Sequence, residues 1–354
     1  MKLIEILPLI TAATTALIFG LQVQGWITGL AVAALLAAVI SSVHHAEVVA
    51  HRLGEPLGTL VLALAVTVIE TALILSVMLA GGAHTAALPR DTIYAAVMII
   101  CNGVIGLCLL IGAWHHREQQ FRIEGMGAGF AALATLSVLV LVMPSLTTTV
   151  SGPVYSYSQL LFVALSSGAL WLIFVFVQTV RHRDYFLPAV HADDESIHAP
   201  APTKGKAWLS MLMLLLALLS VIGLAKLLSP SIEYLVGAFN APQMMVGIVI
   251  AMIVLLPETW AALRAARADR LQTSMNLAMG SALASIGLTI PVVVLASVLL
   301  DLPLELGLHA KDMALLALTF LVGSITLASG RTHLMHGAVH LVLFAAFLFL
   351  TLVP

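Results

Sequence analysis

The sequence predicts an all-α polytopic membrane protein of about eleven transmembrane helices. Three observations lead there. Of 354 residues, 61% are hydrophobic and only 9% charged, and the mean hydropathy is +1.10. A soluble globular chain carries about 25% charged residues, and no soluble domain of this size could hide so much apolar surface. Apolar stretches close to the roughly 20 residues that a bilayer-spanning helix needs recur along the whole chain. The basic residues also sort themselves between alternate connections.

Taken in order, the predicted spans are 4–22, 26–43, 56–80, 92–114, 126–143, 157–180, 207–228, 243–263, 275–300, 312–329 and 336–353. The first follows Met1-Lys2-Leu3-Ile4-Glu5. No small-x-small cleavage site comes after it, so it is expected to be a retained span and not a signal peptide. Neither a lipidation box nor a retrieval signal is visible. The long stretch 275–300 is compatible with a single helix kinked at Pro291.

With the N-terminus on the cytoplasmic side, that side carries Lys2, Arg52, Arg117, Arg122, Arg181, Arg183, Lys204, Lys206, Arg264, Arg267, Arg270 and Arg331. The opposite side carries only Arg90, Lys226 and Lys311. Twelve against three is a strong positive-inside asymmetry, and it leaves the C-terminus outside. The longest polar connection, 181–206, holds Asp193-Asp194-Glu195 and three prolines. It reads as a flexible cytoplasmic linker between six spans and five. A net charge of −2 argues against nucleic acid as a partner. Cys101 and Cys108 lie too far apart along one helix for a disulfide and read as small core residues.

Two acidic residues sit where a bilayer tolerates none. Glu70 is central in LVLALAVTVIETALILSVML, and Glu258 lies within IVIAMIVLLPETWAALRA. A carboxylate at membrane depth costs several kcal/mol, so it faces a polar cavity or carries function. The competing reading is a protonated glutamate bonded to a neighbouring helix. Placement favours function. Glu70 falls in the third span and Glu258 in the eighth, so their helices run in opposite directions. Each is followed by a span rich in small and polar residues: Asn102, Gly103 and Gly106 after the first, Asn276, Gly280, Ser281, Ser285 and Thr289 after the second. That pattern is expected of an inverted repeat with a binding site near the midplane. Small residues there allow close approach between helices. Thr67, one turn before Glu70, and Pro257, just before Glu258, can offer or free oxygens.

Carboxylates surrounded by hydroxyl, amide and carbonyl oxygens suit hard cations such as Ca²⁺. Neither Cys nor His accompanies them, which disfavours zinc and copper. A buried carboxylate also binds protons, and a bound cation favours its ionised form. Competition between cation and proton for one site is the physical core of an antiporter. The expected site is therefore Glu70 and Glu258, serving both cation and proton, with Thr67, Asn102 and Ser281 as supporting oxygen or amide donors.

At these residues the chain resembles a known family. HHAEVVAHRLGEPLGTLVLALAVTVIE (44–70) is similar to the first repeat of the cation/proton exchangers in the calcium/cation antiporter superfamily, especially the bacterial ChaA-type antiporters that exchange calcium, or sodium and potassium, for protons. The similarity continues through RDTIYAAVMII, LLPETWAALRAA, MNLAMGSALASIGLTIPVVVL and SGRTHLMHGAVHLVLF, covering most of the chain. The resemblance implies ten core helices in two inverted five-helix repeats plus one extra N-terminal span. The implied organisation is 1–25 for that span, 26–180 for the first repeat, 181–206 for the linker and 207–354 for the second repeat. It assigns the central glutamates, here Glu70 and Glu258, to the cation site, and it implies a multi-pass protein of a bacterial inner membrane. Vacuolar-type calcium exchangers carry Gly-Asn-Ala before each glutamate. Here Val66, Thr67 and Val68, and Leu255, Leu256 and Pro257, take those places. With fewer side-chain ligands, Na⁺ or K⁺ becomes the alternative cargo to Ca²⁺.

The remaining signals are weaker. His44-His45 and His115-His116 sit at span ends, and His191 and His198 in the linker. They are read as interfacial residues before they are read as pH sensors. His333, His336 and His340 share a helical face, an arrangement that suits a proton relay or a bound metal, although no carboxylate accompanies them. Gly54-x-x-x-Gly58 suits helix packing. Gly125-x-Gly-x-Gly129 lacks the preceding strand of a nucleotide loop. HExxH, P-loop and GxSxG motifs are absent, so no cofactor is expected. The sequence thus predicts a secondary antiporter exporting Ca²⁺, or Na⁺ or K⁺, against protons by rocking one repeat on the other. An intramembrane enzyme with two carboxylates and a proton-coupled carrier of organic solutes are its rivals.

Overall fold

The computed structural model describes residues 3–20, 25–53, 57–186, 202–238 and 242–353. Its helices are α1 (Leu3–Ile18), α2 (Trp26–Leu53), α3 (Leu57–Gly81), α4 (Leu88–Met98), α5 (Ile105–His116), α6 (Ile123–Ser137), α7 (Tyr157–Phe176), α8 (Lys204–Ala238), α9 (Met244–Arg267), α10 (Leu271–Leu300), α11 (Ala310–Ala328) and α12 (Leu334–Leu352). A π-helical segment, Ile99–Val104, joins α4 to α5 into one continuous rod. Further π turns extend α6 (Val138–Val142) and α7 (Val177–Arg181). Among the described residues, nine helices are long and apolar enough to cross a bilayer. The two halves of α9, bent by 54° across position 257, make a tenth, and α1 is a shorter apolar helix. A proline at that position lacks the N–H that would continue the helical ladder. Pro291, by contrast, lies inside an unbroken α10.

Ten of the eleven spans expected from hydropathy are matched, the first, expected over 4–22, being the shorter α1, and the architecture is an all-helical membrane bundle with two inverted five-helix repeats following α1. The inversion is visible in the packing. The rod α4–α5 lies along α12, and α10 lies along α7 in the same relation. Glycines allow both approaches. A Cβ on Gly337 would stand 2.6 Å from the Leu110 nitrogen, and one on Gly287 would stand 2.6 Å from the Trp171 Cβ. Gly106 behaves likewise against His340 and Leu341, whereas Gly280 has open space where a close contact was expected.

Loops repeat the same symmetry at the two ends. At the end rich in Arg and Lys, the connection after α5 forms β1 (Gln119–Gln120), which pairs antiparallel with β2 (Arg331–Thr332) before α12. Gln119 Nε2 also donates to the Ala266 carbonyl at 3.0 Å and to Asp269 Oδ1 at 2.8 Å, beyond α9. At the opposite end, the connection after α10 does the inverted job. Glu305 N donates to the Ala86 carbonyl at 3.0 Å, Gly307 N to Pro153 at 2.9 Å and Leu308 N to Leu141 at 2.8 Å. Arg90 clamps that loop with hydrogen bonds to Glu305 Oε1 (3.1 Å) and to the Gly307 carbonyl (3.0 Å), while its Nε meets Asp91 Oδ1 at 2.8 Å. Each repeat thus reaches across and stitches two loops of the other.

Three helices lie outside this stitching. α2 and α8 pack on each other, with Ala46 of α2 clustered with Leu214 of α8, and both helices bury small residues, among them Ala31 and Ala38 on α2 and Ala217 on α8. α1 covers both. Ser41 Oγ donates to the Ile4 carbonyl at 3.2 Å, Lys206 pairs with Glu5 at 3.7 Å, and a Cβ on Gly223 would stand 2.8 Å from a Thr15 methyl. Most of the linker, with Asp193-Asp194-Glu195, His191 and His198, lies outside the described residues, as does Gly54 of the Gly-x-x-x-Gly pair.

Candidate functional site

Glu70 is 1% exposed, halfway along α3. A hydrophobic helix places it there because its neighbours, Ile69 and Leu73, fill the core on either side. Glu70 Oε2 accepts a hydrogen bond from Thr289 Oγ1 of α10 at 3.2 Å, and the Ser285 hydroxyl, one turn earlier on α10, also hydrogen-bonds the carboxyl group. Ser281, Ser285 and Thr289 succeed one another every four residues, so they form a single hydroxyl stripe down α10. Glu258 follows the bend in α9, where the helix changes direction. It lies within electrostatic reach of Glu70 on α3 and of Glu47 on α2, and Glu47 in turn senses His44 and Arg264.

Among the described residues, the buried side-chain atoms with no hydrogen-bond partner include Glu70 Oε1 and Thr71 Oγ1 on α3, Glu258 Oε2 on α9 and Ser281 Oγ on α10. Buried polar groups are nearly always satisfied, so a buried carboxylate oxygen without a partner points to a role other than packing. Such oxygens are hard donors of the kind that coordinate alkali and alkaline-earth cations. No cluster of three or more His, Cys, Asp or Glu residues able to hold a metal occurs among the described residues.

Of the five residues expected from sequence, Glu70, Glu258 and Ser281 each carry a buried oxygen with no hydrogen-bond partner among the described residues, and Thr67 is buried one turn before Glu70 on α3. Asn102 is differently engaged. Its Nδ2 donates to Thr319 Oγ1 of α11 at 2.9 Å, and its Oδ1 faces His340 Nδ1 of α12 at 3.2 Å. Sequence reasoning noted Ser285 and Thr289 as polar residues of their span without choosing them as supporting oxygens, and it did not single out Thr71 or Glu47. The four-residue spacing from Ser281 to Thr289 was a usable signal for the first two. Nothing local flags Glu47, which comes near Glu258 only because α2 packs against α9. Asn276, a polar residue noted in α10, lies at the Arg-rich end instead, donating to the Phe186 carbonyl and accepting from Gln272. Cys101 and Cys108 are buried free thiols, as expected.

An all-helical bundle with inverted repeats is the architecture of a multi-pass membrane transporter, not of an enzyme. The chain belongs to the sodium/calcium exchanger protein family, whose profile matches residues 21–180 and 209–353. It is 47% identical over 323 residues to y4hA of Sinorhizobium fredii, a protein provisionally described as an ionic transporter, covering 90% of this chain and 87% of that one. It is 36% identical over 321 residues to the sodium-potassium/proton antiporter ChaA of Escherichia coli, with the same coverage of 90% and 87%. Its fold matches that of the solved YfkE chain with a TM-score of 0.75 at 15% identity, over 99% of this chain and 100% of that one.

Proposed function

We propose that this protein exchanges a hard metal cation for protons across a bacterial inner membrane, with Glu70 and Glu258 alternating between cation-bound and protonated forms. The observation that carries the reading is the pair of buried carboxylates on α3 and α9, within electrostatic reach of each other, each with an oxygen that has no hydrogen-bond partner among the described residues. Ser281, Ser285 and Thr289 supply neutral oxygens from α10, and Thr67 and Thr71 from α3. Asn102 acts as a support for the surrounding helices. Charge balance follows from the chemistry. A cation leaving between the carboxylates exposes two negative charges in a low-dielectric interior, and protonation neutralises them before the site reopens.

The cargo is Ca²⁺, Na⁺ or K⁺. YfkE is named a Ca²⁺/H⁺ antiporter, and ChaA a sodium-potassium/proton antiporter. The donor set, carboxylates plus hydroxyls, suits either class of ion. The basic end of the bundle is assigned to the cytoplasm by the positive-inside rule, with the N-terminus there and the C-terminus outside. The two repeats are taken as 26–180 and 207–354, with 1–25 as an added helix and 181–206 as their connection.

Rocking of whole repeats is disfavoured by the loops that stitch each repeat to the other at both ends. The freer unit is α2 with α8, capped by α1, which meets the rest mainly along α3 and α9. Sliding of that trio would open the glutamates to one end and then the other. The decisive experiment is cation-dependent proton flux in everted membrane vesicles, run with Ca²⁺, Na⁺ and K⁺ in turn. Glu70→Gln and Glu258→Gln are expected to abolish exchange. Full flux in either variant would refute the site.

A further inference from the structure

The hydrogen bonds around His340 run in one direction only. His340 is 2% exposed on α12, with Nδ1 3.2 Å from Asn102 Oδ1 and Nε2 3.1 Å from Thr326 Oγ1. Thr319 Oγ1 has one proton, which it donates to the Leu315 carbonyl at 2.8 Å, with Met98 Sδ more distant at 3.5 Å. Toward Asn102 the hydroxyl therefore accepts, so the amide NH₂ faces Thr319 and the amide oxygen faces the imidazole. An oxygen opposite Nδ1 needs a proton on Nδ1. In a neutral ring that leaves Nε2 as an acceptor, and Thr326 donates to it. Every member of the chain Thr326–His340–Asn102–Thr319 is then satisfied in a single tautomer. With the ring neutral the bonds run one way along the chain, whereas a second proton on Nε2 would reverse the bond to Thr326, whose hydroxyl would then have to accept.

We propose that neutral His340, protonated on Nδ1, is a positioning residue of the transport pathway: it holds the Asn102 amide, and through it the π segment Ile99–Val104, in one conformation. The π segment is wholly buried and packs against α9 and α10, which carry Glu258 and the Ser281–Thr289 stripe. On its other side it meets α11 and α12, the helices that supply Thr319, Thr326 and His340. A π turn inside an α-helical rod is a strained insertion that persists only where its surroundings determine it. The polar chain pins its side chain, the Phe344 ring lies 3.4 Å from where a Cβ on Gly103 would stand, and just beyond the segment Gly106 of α5 lets His340 approach. The groups facing the imidazole are Asn102 and the Cys101 backbone on the π segment and Thr326 on α11, with His336 on its own helix. No carboxylate is among them.

The word pathway rests on the antiporter reading, whereas the tautomer does not, and the test separates the two. Glutamine can present an N–H to Asn102 and a carbonyl to Thr326, whereas leucine fills the space and offers neither. His340→Gln is expected to keep cation-dependent proton flux within about threefold of wild type, and His340→Leu to lose at least tenfold, chiefly through a raised KM for the cation. Nitrogen-15 spectra of ring-labelled protein should show one imidazole in the Nδ1–H form, missing from His340→Gln and shifted in Thr326→Val. An Nε2–H or doubly protonated ring at this position overturns the proposal. So does equal loss of flux in the Gln and Leu variants, or full flux in the Leu variant. Glu70→Gln should abolish flux and leave the Nδ1–H signal intact. If it keeps its flux, the glutamate site falls and the His340 tautomer stands.

Discussion

Arg90 offers the sharpest test of how the bundle is held. Its guanidinium joins three partners of unequal worth. Asp91 and Arg90 have side chains only 4% and 8% exposed, whereas the Glu305 side chain is 31% exposed. Removing one partner of a buried ion pair costs about 3–5 kcal/mol, because the other charge is left without compensation. The Glu305 contact, open to solvent, contributes roughly 0–1 kcal/mol. The Gly307 carbonyl, accepting from a charged donor, adds about 1.5–3 kcal/mol. Arg90→Leu should therefore destabilise the fold by several kcal/mol, and most of that should trace to Asp91. The assay is thermal unfolding of purified protein in detergent at fixed protein and lipid concentration. Arg90→Leu is expected to melt several degrees below wild type. Arg90→Leu with Asp91→Asn should regain a substantial part of the loss, about 2 kcal/mol, since it removes the orphaned charge. Glu305→Gln alone should move the transition little. If the double variant is no better than the single one, or if Arg90→Leu melts with wild type, the clamp is not what holds this loop.

Thr289→Val removes the hydroxyl that donates to Glu70 Oε2 at 3.2 Å; losing about 0.5–1.5 kcal/mol should change the cation KM by roughly two- to tenfold while leaving exchange detectable in the vesicle assay. Gly337→Val puts a Cβ 2.6 Å from the Leu110 nitrogen and 2.9 Å from the Gly106 oxygen, both backbone atoms. α12 must then part from α5 at a cost of about 1–3 kcal/mol, seen as a lower melting temperature, whereas Gly280→Ala, with open space around it, should melt as wild type does. Ala65 of α3 packs with Leu214 of α8, so oxidising an Ala65→Cys, Leu214→Cys pair should arrest exchange and reduction should restore it. The same treatment of a Thr15→Cys, Gly223→Cys pair, which joins α1 to α8 inside the proposed moving unit, should leave exchange running.

Much of this fold was legible because a bilayer is an unforgiving solvent. Backbone groups in hydrocarbon must be satisfied internally, so a long apolar run has little choice but helix. That is why the expected spans coincide with the rods, even across the π segment at Ile99–Val104 that hydropathy cannot sense. Glu70 and Glu258 were legible for the same reason, as charges where lipid forbids them. Their partners were harder to read. A serine or threonine in a membrane helix has a carbonyl one turn back to bond with, as Thr259 does with Leu255 at 2.7 Å, so hydroxyl identity says little about direction. Only packing distinguishes Thr289, which turns to Glu70, from Ser297, which turns to the Leu302 carbonyl. Asn102 shows the limit from the other side. Its amide looked like a ligand from sequence, but α11 and α12, more than 200 residues further along the chain, take both ends of it.

The same packing explains how one scaffold can be both rigid and mobile. A site that selects an ion by its oxygens must hold α3, α9 and α10 to a definite spacing, and buried networks do that well because a half-broken one leaves polar groups unsatisfied. The Arg90 clamp, the β1–β2 pairing and the His340 chain are all of this kind, and all lie on the stitched side of the molecule. The α2–α8 face is different. Its helices bury small residues such as Ala31, Ala38, Ala46 and Ala217, and small residues let helices pack closely without interlocking large side chains. Dispersion between smooth surfaces changes little with a shift of register, whereas a directed hydrogen bond does not survive one. Motion is therefore expected where the interface is made of alanine, and ion selectivity where it is made of serine, threonine and glutamate. Introducing one large side chain at Ala38 or Ala217 should slow exchange without altering which cation is exchanged, and a change in cation preference would mean that α2 and α8 shape the site as well as uncover it.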